Sequence, residues 1–286
     1  MSLHTTLISA TALAALPAQE VLIVDCRFEL AVAGGDTGKG EQDYRAGHIP
    51  GAVYAHLDRD LSDLSRQAEG LGRHPLPLEQ AFSAVLSRLG WRPGLQVVCY
   101  DAAGGALAAA RLWWLLRLVG VREAAVLDGG IQAWQVAGLP LEAGEVQRPA
   151  TSVSLRYDPA QFITDHQTVF EQPGQLLIDA RAAPRYRGEV EPIDRVGGHV
   201  PGAANRPYSD NLDAQGRFKP ADELRREFIA VLGAFTPPQV VHMCGSGVTA
   251  CHNLLAMEYA GLSGSRLYAP SWSGWVSDPA RPVEKV

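Results

Sequence analysis

Two stretches of this 286-residue chain carry the same motifs in the same order, and that duplication constrains the fold more than any other feature. In the first half VLIVDCR (21–27) is followed by GHIPGA (47–52), and in the second LLIDAR (176–181) is followed by GHVPGA (198–203). Further along, QVVCYDAAGGALAAARLWW (96–114) answers QVVHMCGSGVTACHNLL (239–255), and LDGGIQAW (127–134) answers YAPSWSGW (268–275). The offset drifts from 154 residues at Asp25/Asp179 to 151 at His48/His199 and 141 at Trp134/Trp275. Duplication followed by small loop deletions leaves that trace. Even LISA (7–10), ahead of the first strong apolar run, lies opposite FITD (162–165).

Within each half, short apolar runs (21–24, 97–100, 124–127; then 176–178, 239–243, 266–268) alternate with longer helical patterns (79–89, 106–119, 222–232, 248–260). Strands that are apolar throughout and separated by helices belong to a mostly parallel sheet covered on both faces. The expected fold class is therefore α/β, two tandem domains, each a mostly parallel sheet flanked by helices. The boundaries are expected at 1–142 and 158–286, with a linker at about 143–157, where the sequence has no helical period and is bounded by prolines.

Twenty-five Lys and Arg against thirty-one Asp and Glu leave a formal charge of −6. A nucleic-acid binder working through a basic face needs clustered cations to displace phosphate counterions, so that class is excluded. No run approaches the 18–20 apolar residues of a membrane span. The apolar stretch 7–18 is not preceded by Lys or Arg, as a secretory signal would require, and reads as a helix over Ser9–Leu16 ended by Pro17. Cysteines 26, 99, 244 and 251 form neither a disulfide framework nor a CxxC metal spacing. A soluble, cytoplasmic protein without metal or dissociable cofactor is expected.

In open parallel α/β sheets the ligand sits at the carboxyl ends of the strands, facing helix N-termini. The run Val240–Met243 ends there in Cys244-Gly245-Ser246-Gly247-Val248-Thr249, and a helical pattern follows at once. A short loop with two glycines can turn successive N–H groups inward around the Cys244 sulfur. Those donors and the helix dipole stabilise an anion and favour thiolate. Cys244 is thus a candidate nucleophile or holder of a sulfur anion. The duplicate position is Asp101, which cannot carry a persulfide, so the first copy is expected to be a non-catalytic scaffold. Cys26, Cys99 and Cys251 read as core residues. His48 and His199 recur in both copies, so they read as maintaining the fold, as do the tryptophans of the repeat endings.

The paired GHIPGA/GHVPGA motifs, the endings LDGGIQAW and YAPSWSGW, and the loop CGSGVT together resemble a two-domain rhodanese-family sulfurtransferase over residues 5–278. The loop is most similar to that of the 3-mercaptopyruvate-using members. The resemblance implies a Cys244 persulfide that takes sulfane sulfur from a small-molecule donor and passes it to a thiophilic acceptor, such as cyanide, a thiol or thioredoxin. Thiosulfate-specialised members tend to carry cations directly after the cysteine. Gly245, Ser246, Gly247, Val248 and Thr249 supply none, so a mono-carboxylate keto donor matches better than a compact dianion. Arg185 resembles the family's substrate-carboxylate arginine, and a guanidinium binds carboxylate bidentately. The family's second arginine is expected nine residues on, where this chain has Asp194 followed by Arg195. Either Arg195 reaches the site through a reshaped loop or that contact is lost; Arg187 is a further source of cation. The resemblance also implies a proton relay through Ser246, His74 and Asp58.

Three other readings compete. A cysteine phosphatase needs Cys-x5-Arg, but the sixth residue after Cys244 is Ala250. A thiosulfate:cyanide sulfurtransferase shares fold and nucleophile but not donor. A non-enzymatic sulfur carrier would hold a persulfide without turnover.

Overall fold

The computed structural model describes residues 3–30 and 37–286. Its chain forms two compact units, and neither is contiguous in sequence: residues 1–62, 77–157 and 214–218 cluster together, as do 63–76, 158–213 and 219–286. The stretch 143–157, expected as a linker, is part of the first unit. It runs along the helix Glu79–Arg88, where the N–H of Thr151 donates to the Ser87 carbonyl (3.0 Å) and the Tyr157 hydroxyl to the Pro77 carbonyl (2.8 Å). Absence of a helical period marked an extended segment, not a free one.

The first unit contains a sheet of β1 (Leu7–Ile8), β2 (Val21–Asp25), β3 (Val53–Tyr54), β4 (Gln96–Tyr100) and β5 (Ala124–Leu127), in the order β1-β5-β4-β2-β3. The second repeats that order with β6 (Phe162–Ile163), β7 (Leu176–Asp179), β8 (Ala204–Asn205), β9 (Val240–Met243) and β10 (Arg266–Tyr268), as β6-β10-β9-β7-β8. Among the described residues, every pairing between strands of these two sheets is parallel. The central pairs have matching registers, Asp25 opposite Tyr100 and Asp179 opposite Met243. All five β2 residues are buried, with Val21 and Ile23 in one core cluster beside Val98, Leu127 and Trp134. In the second unit Leu177, Val241, Met243, Tyr268, Trp272 and Trp275 form the counterpart. Helices cover both faces, which is why these strands are apolar without alternation.

The first helix spans Ala10–Ala14, with Ser9 as its N-cap accepting from the Ala12 N–H. Among the described residues, no helix is long and apolar enough to cross a membrane.

The repeated polar residues do the same work twice. Arg27 is forked onto Asp25 and donates to the Gly47 carbonyl (2.7 Å); Arg181 is forked onto Asp179 and donates to the Gly198 carbonyl (2.6 Å). His48 stacks on Tyr44 and pairs by backbone with Glu142, while His199 stacks on Tyr186 and pairs with Glu284. Each histidine thus ties a GH(I/V)PGA loop to the end of its own repeat. Trp134 and Trp275 donate to the carbonyls of Pro140 and Pro282.

Candidate active site in the second unit

Strand β9 ends at Met243, and residues 244–249 turn before the helix Ala250–Tyr259. Two requirements shape this loop. Gly247 has φ +75°, and a Cβ there would lie 2.4 Å from the Ala269 carbonyl oxygen, so only glycine fits. The loop is also pinned to the turn after β10: the Trp272 and Ser273 N–H groups donate to the carbonyls of Cys244 and Gly245, both at 2.9 Å.

The Cys244 N–H is held by Ser271. Its donor–acceptor distance to the Ser271 hydroxyl is 3.1 Å, and that hydroxyl donates to the Tyr268 carbonyl (3.0 Å). Ser271 is fully buried and has φ +53°, the one non-glycine with positive φ among the described residues. The duplicate position is Gly130, φ +59°. A serine in a conformation suited to glycine, fixing the backbone of the candidate nucleophile, is local strain kept where geometry matters.

The first copy displays what such a loop binds. The Asp101 carboxylate accepts N–H bonds from Ala103 and Gly105 (2.8 Å each), and from Leu107, Ala108 and Ala109 (3.2–3.3 Å). The loop is an anion cradle filled by its own side chain. This wrapping delays the following helix to Ala109, whereas the sequence pattern placed its start at 106.

Ser246 and His74 meet: Oγ and Nδ1 are 2.7 Å apart, and both residues are buried. His74 reaches the loop because segment 63–76 belongs to the second unit. That segment is anchored by the Arg73 N–H on the Ser273 hydroxyl (2.9 Å), and Gly72 passes so close to the Pro270 carbonyl that a Cβ would lie 2.3 Å away. Asp58 belongs to the first unit, in the short helix Leu57–Asp60, where its N–H donates to His56 Nδ1 (3.1 Å).

The charged side of the site differs from the sequence expectation. Arg185 lies beside Gly245: a Cβ there would be 3.7 Å from its Nη atoms. The second guanidinium at this position is Arg73, its Nη2 only 3.1 Å from the same point. Arg195 instead donates its Nε–H to the Val276 carbonyl (2.6 Å), and Arg187 pairs with exposed Glu189 (2.7 Å). Asp194, in the family's arginine position, bridges the two cations. Its carboxylate accepts from Arg73 Nη1 (2.5 Å) and Arg185 Nη2 (3.2 Å), while Glu191 accepts from Arg185 (2.6 and 3.1 Å). Burial pushes the Asp194 carboxyl above its ordinary value, with Arg73 and Arg185 pulling against it. For Glu191 burial also pushes up, but hydrogen bonds from Arg185 and from the Asp194 and Ile193 N–H groups outweigh it and leave the carboxyl below its ordinary value.

Val248 is buried in the loop, and Thr249 forms the N-terminal boundary of the following helix. All four cysteines are free thiols. Burial raises those of Cys26 and Cys99, as suits core positions. His242 on β9 is wholly buried beside Met257, and burial lowers its imidazole to about 3, so it stays uncharged. The sequence reading missed Arg73, Glu191 and Ser271. Arg73 had a signal: it immediately precedes the candidate histidine in Gly-Arg-His-Pro.

Comparison with known proteins identifies relatives of this chain. The family model described as a rhodanese-like domain matches residues 9–137. A Pseudomonas aeruginosa protein named "Probable 3-mercaptopyruvate sulfurtransferase" is 47% identical over 97% of this chain and 97% of its own. A Mycobacterium tuberculosis protein, 38% identical over 92% of this chain and 90% of its own, is named provisionally as a thiosulfate sulfurtransferase. Among solved structures, 3-mercaptopyruvate sulfurtransferase from Leishmania major is 33% identical and superimposes with a TM-score of 0.81, covering 94% of this chain and 73% of that one.

Proposed function

The chain belongs to the rhodanese family of sulfurtransferases, and from that membership we propose that it moves sulfane sulfur from 3-mercaptopyruvate to a thiophilic acceptor through a Cys244 persulfide. The observation that carries this reading is the placement of two guanidiniums, Arg185 and Arg73, beside Gly245 in a cysteine-headed loop whose own side chains are uncharged. Such a site offers cations to a donor's carboxylate while leaving the sulfur end to Cys244 and the loop N–H groups.

The chemistry follows from these positions. The Cys244 thiolate attacks the donor sulfur, forming the S–S bond as the donor's C–S bond breaks. The departing electron pair becomes the enolate of pyruvate. Ser246, bonded to His74, donates toward the developing enolate oxygen, and His74 supplies the proton that completes pyruvate. A thiolate or cyanide then attacks the outer sulfur and returns Cys244 to thiolate. Free cysteines throughout fit work in the reducing cytoplasm. Cyanide, a small thiol and thioredoxin are the acceptors to compare.

Thiosulfate is the second reading, favoured by the Mycobacterium tuberculosis relative whose provisional name is a thiosulfate sulfurtransferase. Steady-state kcat/KM for both donors, with cyanide as common acceptor, tests the proposal. Preference for 3-mercaptopyruvate supports it; preference for thiosulfate replaces it with the second reading. Turnover of neither moves the protein to the carrier reading.

A further inference from the structure

Arg73, Arg185 and Asp194 form a unit that belongs to no expectation drawn from the sequence. Asp194 spans the two guanidiniums as a donor carboxylate would, with one oxygen on Arg73 Nη1 (2.5 Å) and the other on Arg185 Nη2 (3.2 Å). Its side chain is 6% exposed, against 23% for Arg73 and 18% for Arg185, so the internal anion lies deeper than the cations it joins. Behind it, Glu191 holds Arg185 and approaches Arg181 (3.4 Å), which is forked onto Asp179. The cluster thus counts three guanidiniums against three carboxylates and has no formal charge to spare. Arg73 nevertheless retains unused donor capacity: its Nε is buried and has no hydrogen-bond partner among the described residues. An orphaned donor on a cation points to a ligand.

We propose that Arg73 is the second donor-binding cation of this enzyme and that Asp194 is an internal counter-ion which makes the pair select donors by charge, favouring a mono-anion over a dianion. This rests on the sulfurtransferase reading and deepens it. With Asp194 ionised the clamp offers hydrogen bonds without net charge. That is enough to orient one carboxylate, but it gives a dianion such as thiosulfate little compensation for leaving water. Neutralising Asp194 leaves one uncompensated positive charge, whose attraction scales with the charge of the donor. The specificity comes from an anion built into the cation site, a repulsive element as much as an attractive one.

The test uses the full chain with D194N, R73M and R73K, reading kcat/KM for 3-mercaptopyruvate and thiosulfate. One charge at this range is worth about tenfold per unit of donor charge. D194N is therefore expected to shift the thiosulfate-to-mercaptopyruvate ratio about tenfold toward thiosulfate; R73M shifts it the opposite way, and R73K, which keeps the charge but loses the fork, keeps the ratio while raising KM for both donors. Arg73 is partly exposed, so R73M keeps the claim testable should D194N not fold. In parallel, calorimetric titration of the C244S chain carrying each substitution, with pyruvate and with sulfate, reads the same charge preference without turnover. If the wild type turns over neither donor while sulfate binding still rises in D194N, the sulfurtransferase reading fails and the clamp stands. A ratio and an anion preference unchanged in both D194N and R73M overturn the clamp, whatever the donor proves to be.

Discussion

Ser271 offers the sharpest test of how the second unit holds the backbone of Cys244. Its hydroxyl accepts from the Cys244 N–H and donates to the Tyr268 carbonyl, at φ +53° and full burial. Ser271→Ala keeps the strained backbone but leaves a buried N–H without its acceptor, a cost of about 1–3 kcal/mol. Ser271→Gly loses the same bonds but relieves a left-handed conformation costing about 1–2 kcal/mol, against about 0.5–1 kcal/mol for glycine's greater chain entropy. The glycine variant should therefore be the more stable of the two, the reverse of the usual order. At about 2–4 °C per kcal/mol for units of this size, Ser271→Ala lowers Tm by a few to about 10 °C and Ser271→Gly by less. Calorimetry on both, following the transition of the second unit, reads the order. Both variants should lower kcat more than they raise KM, because the hydroxyl is committed to the Cys244 N–H and the Tyr268 carbonyl and so acts through the position of Cys244. An alanine variant as stable as the wild type, or more stable than the glycine variant, refutes the reasoning.

Three further outcomes are expected. Asp101→Ala removes the acceptor of five loop N–H groups and should cost the first unit at least about 2 kcal/mol in calorimetry while kcat stays essentially unchanged. His74→Ala should lower kcat with 3-mercaptopyruvate by about 100-fold, within the range of general acid catalysis, and kcat with thiosulfate far less, since sulfite leaves without needing a proton on carbon. The Glu191 carboxyl is held below its ordinary 4.5, so its contribution to stability is present above that value and is lost as pH falls through the lower folded value. Glu191→Gln should flatten that acid limb of the stability profile.

The sheet strands were legible because each long one is apolar on both faces, and because the chain states the pattern twice. The two-residue edge strands β1, β3, β6 and β8 were not, being too short to show any period. Cys244 stood out because strand, glycine loop and helix are contiguous in sequence, so the junction can be read locally. Arg73 and His74 reach that loop from some 170 residues upstream, and their placement depends on segment 63–76 packing with the second unit. For His74 the family resemblance supplied the link; for Arg73 the one signal was its place directly before that histidine. Asp194 was visible as a departure from the family pattern, but its bridge between two cations exists only in three dimensions. Ser271 aligned with Gly130 in the repeat, yet the meaning of that exchange lies in a backbone angle, which sequence does not carry.

In the proposed mechanism Cys244 alone carries the transferred sulfur. Peptide mass spectrometry after a single turnover with 3-mercaptopyruvate and no acceptor locates that sulfur. The expected result is one added sulfur atom on the Cys244 peptide, one pyruvate released per chain, none of either in Cys244→Ser, and loss of the added sulfur when cyanide is supplied. Sulfur on Cys26, Cys99 or Cys251, or pyruvate released by the Cys244→Ser chain, would contradict it.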